Sequence, residues 1–357
     1  MKRRTMMAGL GALGAAATLR GVPAFAQAAD LEINLQDVWQ AWQAVHLDAS
    51  GRVVDSIQQN ASHSEGQGYG MLLAVTAGDR RAFERMETWT RVNLAVRNDN
   101  LLAWRWLPDA PVQVPDINNA SDGDLFRAWA LLKASRKFSV PEYRETAQRI
   151  VMDLVETCIV ERPGTGAMSL MLPAAQGFRT PTGFIFNPCY SMPLAMTELA
   201  TAFDVAPLAR AARGAVDLVG NLARDGVVPD WVEVVGNDVR PAQDFSFNAG
   251  YEAMRIPLFL IWSGLKQHPA VIRYAEAQAR APKGSAATVI DRKTGQILET
   301  GTQAGYRAVA ALSLCTARNT VGSALPPFVS EASYYPATLQ VMAMIAQAHG
   351  APMCFPL

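Results

Sequence analysis

From Leu31 onward, apolar side chains recur mostly at three- and four-residue intervals, the spacing that lines them along one face of an α-helix. The pattern predicts helices over 31–45, 66–78, 80–97, 123–137, 142–158, 189–203, 205–223, 248–265, 269–281, 303–317, 323–331 and 335–348. Breakers fall between them at Gly78-Asp79, Pro141, Pro163-Gly164, Pro207, Pro269, Pro282 and Pro326-Pro327. Two stretches look extended instead. Val227 to Arg240 turns at Gly236-Asn237-Asp238, and Thr288 to Leu298 turns at Lys293-Thr294-Gly295, so both predict short hairpins projecting from a helical body. About a dozen helices with loops of very unequal length define an all-α domain. No strict repeat or low-complexity linker divides it, which favours one domain over two.

One predicted helix starts unusually. Ser64-Glu65-Gly66-Gln67-Gly68-Tyr69-Gly70-Met71 leads straight into Leu72-Leu73-Ala74-Val75. Each glycine costs a helix roughly 1 kcal/mol relative to alanine, but it also lets a bulky partner approach the backbone closely. Glu65 has no local basic partner and is backed by an apolar helix, where burial can raise a carboxyl far enough to make it a proton donor. The plainer alternative is a solvated helix N-terminus with an acid near the positive end of the dipole.

Composition narrows the setting. At 357 residues and 50% hydrophobic, the chain can bury a large core. Residues 1–26 read as a cleaved export signal: Lys2-Arg3-Arg4, an apolar stretch from Met6 to Leu19, and a small-x-small end at Ala24-Phe25-Ala26. The adjacent Arg3-Arg4 and the late Arg20 fit a twin-arginine type. Residues 27–357 would then be the mature domain, periplasmic or secreted. Gly9-x-Gly11-x-x-Gly14 matches a dinucleotide fingerprint but follows no strand and lies inside this signal, so it is set aside. Removing Lys2, Arg3, Arg4 and Arg20 from 32 basic and 32 acidic side chains leaves a mature chain near −4. No basic stripe remains, which argues against nucleic acid, and no long apolar segment argues for an integral membrane span. Cys158, Cys189, Cys315 and Cys354 form no C-x-x-C pair, which argues against a zinc site. Their pairing is not readable, and buried free thiols are the expected state for most of them.

Two further stretches place acids beside predicted helix starts. In Asn118-Asn119-Ala120-Ser121-Asp122-Gly123-Asp124-Leu125, Ser121 or Asp122 can cap the next helix and Asp124 then lies in its first turn. That explains one aspartate well and two only adequately. In Phe247-Asn248-Ala249-Gly250-Tyr251-Glu252-Ala253-Met254-Arg255, Glu252 and Arg255 are spaced to pair on a helix face. Such pairs are worth little when exposed, but this one is flanked by apolar residues and marked by a glycine. Aromatic residues accompany these acids: Trp39, Trp42, Trp104, Trp106, Trp129, Tyr190, Trp231, Tyr251, Tyr334 and Tyr335. Trp89, Trp129 and Trp262 are assigned to the core, whereas Trp104-Arg105-Trp106 and Pro229-Asp230-Trp231 fall in predicted loops. Loop aromatics beside carboxylates suit a sugar chain, whose ring faces pack on aromatic rings while its hydroxyls bond to acids. There is no G-x-S-x-G, H-E-x-x-H or P-loop, and the four histidines His46, His63, His268 and His349 do not cluster. Paired carboxylates with aromatic loops, no metal signature and an export signal point to glycoside hydrolysis.

These residues also resemble a known family. The 64–71 segment looks like the proton-donor segment of glycoside hydrolase family 8. Ala120-Ser121-Asp122-Gly123-Asp124, continued by Ala128, Ala130-Leu131-Leu132, Ala134 and Phe138, is similar to that family's signature, with Arg127 standing where an apolar residue is usual. Trp104-Arg105-Trp106, Phe186-Asn187-Pro188, Pro229-Asp230-Trp231 and Tyr334-Tyr335 fall in the family's order. The resemblance covers nearly the whole mature chain and is strongest to periplasmic endo-β-1,4-glucanases that accompany bacterial cellulose synthases.

The resemblance implies an (α/α)6 barrel with its substrate cleft across the ends of the inner helices, and an inverting mechanism without cofactor or metal. Glu65 matches the general acid, and Asp122 the acid that holds the sugar next to the scissile bond. Glu252 falls at the general base, where the family usually has aspartate. An inverting enzyme needs a water between base and sugar, with the two carboxyls about 6.5–9.5 Å apart. One added methylene therefore changes the geometry that the chain must accommodate. Glu65 is expected to be protonated through burial, and Arg255 to keep Glu252 ionised. Trp104, Trp106, Tyr190, Trp231, Tyr251, Arg255 and Tyr335 are the candidate substrate-binding residues. The implied partners are β-1,4-glucan chains and a cellulose synthase complex. The alternatives are the same fold acting on chitosan, xylan or mixed-linkage β-glucan, and a non-hydrolytic glycan-binding subunit of a cellulose-export system.

Overall fold

A computed structural model describes residues 24–161 and 168–356 of the chain. The predicted export signal lies outside the described residues up to position 23, as does the Pro163-Gly164 break. Eleven α-helices occur among the described residues: α1 (Ala24–His46), α2 (Ser64–Ala77), α3 (Arg80–Asn93), α4 (Ser121–Lys137), α5 (Pro141–Cys158), α6 (Pro193–Phe203), α7 (Ala206–Arg224), α8 (Arg255–Trp262), α9 (Pro269–Gln278), α10 (Ala304–Arg318) and α11 (Tyr334–Gly350). No described helix is long and apolar enough to cross a membrane.

Contacts pass from α2 to α4, α6, α8 and α11, and α1 packs on both α11 and α2 to close the ring. Helices α3, α5, α7, α9 and α10 pack on members of this ring, and the architecture is an (α/α)6 barrel. The division follows from side-chain pattern. α2, α4, α8 and α11 are buried on almost every face, whereas α3, α5 and α7 each bury a stripe and leave the rest polar. Aromatic rings fill the centre: Tyr69 meets Phe126 edge-on at 4.6 Å, Phe126 meets Phe259 at 5.5 Å, and Trp129 meets Trp262 at 5.6 Å.

The glycines of α2 serve this packing. A Cβ on Gly68 would lie 2.9 Å from the Gly123 carbonyl oxygen, and one on Gly123 would lie 2.6 Å from the Glu65 backbone nitrogen. The helix starts of α2 and α4 therefore cross in direct backbone contact, which brings Glu65 and Asp122 together. The bulky neighbour that glycine admits is another helix.

Short strands decorate the ends. β1 (Ser62–His63) pairs with β2 (Arg105–Trp106), and β3 (Ile159–Glu161) with β4 (Ser169–Met171). β5 (Phe184–Phe186) extends the predicted hairpin β6 (Val232–Val235) and β7 (Asp238–Arg240) into three strands, and β8 (Ala286–Ile290) with β9 (Ile297–Gly301) forms the other predicted hairpin.

Five expectations change. Segment 323–331 is irregular, because Pro326-Pro327 disfavours helix for each preceding residue. Buried Gln340 holds it instead, donating to the carbonyls of Pro326 and Pro327 at 3.1 and 2.7 Å. The helix expected from 248 starts at Arg255, after a turn over 250–254, and the one expected from 189 starts at Pro193 after a short 3-10 turn, Pro188–Tyr190. The N-cap of α4 is Ala120; Ser121 donates to the Leu172 carbonyl, and Asp122 accepts from the adjacent Gly123 N–H. Cys315 and Cys354 form a disulfide, while Cys158 and Cys189 are buried free thiols. Trp89, Trp129 and Trp262 are core as expected, and so are Trp39, Trp42 and Tyr334.

Candidate active site

Four elements deliver the site. Glu65 lies in the first turn of α2, and Asp122 in the first turn of α4. Glu252 lies in the turn before α8, and Arg255 opens that helix. The Arg255 guanidinium joins them: Nη1 donates to Glu65, Nη2 donates to Glu252, and Nη1 stands 3.6 Å from Asp122 Oδ2. The Tyr69 hydroxyl accepts from Nη1 at 3.1 Å, and the Tyr334 hydroxyl lies 3.5 Å from Glu65 Oε1. Glu252 and Arg255 do pair three residues apart, with the arginine buried and the glutamate reaching solvent, rather than on an exposed helix face. The guanidinium is 2% exposed, against 20% for the Glu65 side chain and 36% for that of Glu252.

Three carboxyls around one cation carry an excess of negative charge, which disfavours ionisation of the most deeply buried of them, Asp122. Burial, reinforced by Glu65 and Glu252 and opposed by Arg255, pushes the Asp122 carboxyl up to about 8. Its Oδ2 is buried without a hydrogen bond. Burial would also raise Glu252, but Arg255 and the donors Cys189 and Asn187 outweigh it and hold this carboxyl below the usual range. The expectation that Arg255 favours the ionised form of Glu252 matches this balance.

The second aspartate of the α4 start does other work. Asp124 accepts from Leu102 N–H at 2.8 Å and Asn119 Nδ2 at 3.0 Å, anchoring the stretch that leads to Trp104. Its burial is the main reason that its carboxyl rises to about 7. Arg127 forms a buried two-pronged pair with Glu87 of α3, away from the acids.

The turn carrying Glu252 is held by Asp230, whose Oδ1 accepts the N–H groups of Gly250 and Ala253, both at 2.8 Å. A Cβ on Gly250 would lie 2.5 Å from Asp230 Oδ2, so glycine is required by close approach. Burial, opposed by these two bonds, brings the Asp230 carboxyl to about 6.

The predicted aromatics divide into three groups. β2 pairs with β1 and the Ser64 N–H donates to the Trp104 carbonyl at 2.9 Å, so the Trp104 and Trp106 backbone runs beside the start of α2, while the Trp106 ring packs edge-on against Trp89 at 5.5 Å and the Trp104 indole donates to Asp116. Trp231 and Tyr190 lie 6.0 Å apart, and Trp231 also stacks on Phe178 and meets Phe245 at a tilt. Tyr335 lies 6.0 Å below Arg255 and donates to the Tyr251 carbonyl; Tyr251 itself is 44% exposed. Sequence reasoning did not assign Tyr69, Tyr334, Asn187, Cys189 or Asp230 to the site, although all five stand within the stretches singled out or next to them. Phe178 and Phe245 had no such signal.

A helical barrel with carboxyls gathered at one end and aromatic side chains around them defines a glycoside hydrolase. The family model for glycosyl hydrolases family 8 matches residues 13–349, and the chain belongs to this family. A probable endoglucanase of Novacetimonas hansenii is 33% identical over 349 residues, covering 96% of this chain and 98% of that one. The solved endo-beta-1,4-glucanase CMCax from Acetobacter xylinum superposes with a TM-score of 0.80 at 29% identity, over 89% of this chain and 99% of that chain. Endoglucanase Cel10 from Klebsiella pneumoniae gives 0.79 at 28% identity, over 88% and 99%.

Proposed function

We propose that the protein is an endoglucanase that hydrolyses internal β-1,4-glucosidic bonds of cellulose-type chains with inversion at the anomeric carbon. The observation that carries this reading is the convergence of Glu65, Asp122 and Glu252 on the single guanidinium of Arg255. Glu65, partly exposed and reachable by a glycosidic oxygen, serves as the proton donor to the leaving group as the bond breaks. A water attacks the opposite face of the sugar and gives its proton to Glu252. Asp122, with one oxygen lacking a partner, accepts hydrogen bonds from the sugar next to the scissile bond. These bonds strengthen as positive charge develops on the ring. Trp104, Trp106, Tyr190, Trp231, Tyr251 and Tyr335 supply ring faces for the neighbouring sugars. No cofactor enters this scheme.

The near full-length likeness to endoglucanases supports β-1,4-glucan as substrate, and the Novacetimonas relative supports a setting in bacterial cellulose synthesis, with a synthase complex as the candidate partner. The basic, apolar and small-residue succession in 1–26 supports export to the periplasm or beyond. Product analysis on a defined cello-oligosaccharide, with the anomer followed by NMR, tests substrate, cleavage position and stereochemistry together. Cello-oligosaccharide products first released as the α-anomer are expected. Release of the β-anomer would overturn inversion, and activity confined to chitosan or xylan would overturn the substrate. Binding without hydrolysis would overturn catalysis.

A further inference from the structure

We propose that Asn187 and Cys189 are positioning residues that fix one oxygen of Glu252 so that the other is left to take the proton from the hydrolytic water. Asn187 Nδ2 and Cys189 Sγ each lie 3.2 Å from the same atom, Glu252 Oε2, and Arg255 Nη2 donates to it as well. Among the described residues no hydrogen bond is made to Oε1. A carboxylate with three donors on one oxygen has its free lone pairs on the other, which directs proton uptake to Oε1.

The two donors are themselves fixed. Asn187 and Cys189 are buried, and the Cys189 N–H donates to Asn187 Oδ1 at 3.0 Å, so one short turn at the end of β5 presents both side chains. A buried cysteine usually behaves as a small apolar residue. This one is held as a neutral thiol by burial and directs its S–H at a carboxylate. A glutamate has more rotamers to lose than a shorter acid, so a base of this length needs such holding more. Among the described residues, the titratable and charged groups around Glu252 are Arg255, Cys189, Glu65, Asp122, Asp230, Tyr190 and Tyr335, with Arg255 the cation paired to it.

The inference rests on Glu252 acting as base, and the test separates the two. Removing a donor to the ionised form raises the base's titration, so the acid limb of kcat/KM moves to higher pH. Cys189→Ala is expected to lower kcat about three- to tenfold with little change in KM, and to move that limb up by about half a pH unit. Cys189→Ser, which keeps a donor, restores both. Asn187→Asp keeps the acceptor for the Cys189 N–H but replaces the donor to Oε2. It is expected to lower kcat and raise the limb even if Cys189→Ala proves too unstable to assay. If Cys189→Ala and Cys189→Ser give the same kcat and pH profile, or Asn187→Asp leaves both unchanged, the positioning role is overturned. If Glu252→Gln retains turnover, it is the base assignment that fails.

Discussion

Arg255 binds Glu65 through one guanidinium nitrogen and Glu252 through the other, so a single buried fork sets the spacing between an acid on α2 and an acid in the turn before α8. Lysine cannot reproduce this, because an ammonium is a point charge without a planar pair of donors. Arg255→Lys is therefore expected to lower kcat/KM on a soluble β-glucan about 10²- to 10³-fold, the cost of misplacing reacting groups by about an ångström. Arg255→Met, which leaves three carboxyls without their cation, should also lose about 3–5 kcal/mol in a urea melt. Near wild-type kinetics for the lysine variant would show that the spacing is set elsewhere.

Asp122 should trade stability for function. Its folded-state carboxyl, at about 8, holds a proton more tightly than an unfolded aspartate near 4. Between those values the folded chain carries the extra proton, so this group makes stability fall as pH rises from about 4 to 8. Asp122→Asn removes that slope. Its melting temperature is expected to exceed wild type by roughly 3–8 °C at pH 8 and to match it near pH 4, while turnover drops by about 10²-fold or more. Thermal melts across the pH range, read beside kcat, check both halves. A variant less stable than wild type at pH 8 would mean that Asp122 is held ionised.

Gly250→Ala tests whether Asp230 positions the base. The new methyl would meet a short carboxylate already tied to two N–H groups, so the turn has to shift. The expected cost is about 1–3 kcal/mol in stability and about 10- to 100-fold in kcat, with KM changing less. Asp230→Asn, which keeps Oδ1 as an acceptor, should fall between wild type and the alanine variant. Unchanged kcat in Gly250→Ala would separate the strap from catalysis.

Much of the frame is readable from local pattern because helices announce themselves by spacing and prolines by position. The elements that moved are those where a distant side chain overrides the local signal. Asp230 captures the N–H groups that would have started a helix near 250, and Gln340 holds the proline segment that replaces the helix expected over 323–331. The acids themselves stand out through their glycine neighbours, yet the reason for the glycines does not. Gly68 and Gly123 serve each other across two helices, a pairing that no periodicity encodes. Arg255 beside Glu252 is legible as a pair three residues apart, whereas its bond to Glu65 exists only once the ring has closed. Asp122 and Asp124 look alike on paper. Both are buried, and it is their partners that separate them, one facing the guanidinium and the other holding the loop of Leu102.

Trp231 follows Asp230 directly, so the proposed sugar platform and the strap on the base belong to one stretch of chain. The indole lies parallel to Phe178, with ring centres 5.9 Å apart and planes 7° apart, while Phe245 supports it at 4.6 Å. Loss of a pyranose face packed on this ring should cost about 1–2 kcal/mol, or roughly tenfold in KM. Trp231→Ala is expected to show that penalty on long cello-oligosaccharides and to lose it on the shortest substrates, which do not reach the ring; Trp231→Phe should recover most of the difference. A penalty on kcat that is equal at every chain length would instead mean that the substitution disturbs Asp230 and, through it, Glu252. Kinetics over a series of oligosaccharide lengths distinguishes the two, because a platform acts only on sugars that touch it and a displaced base acts on all of them.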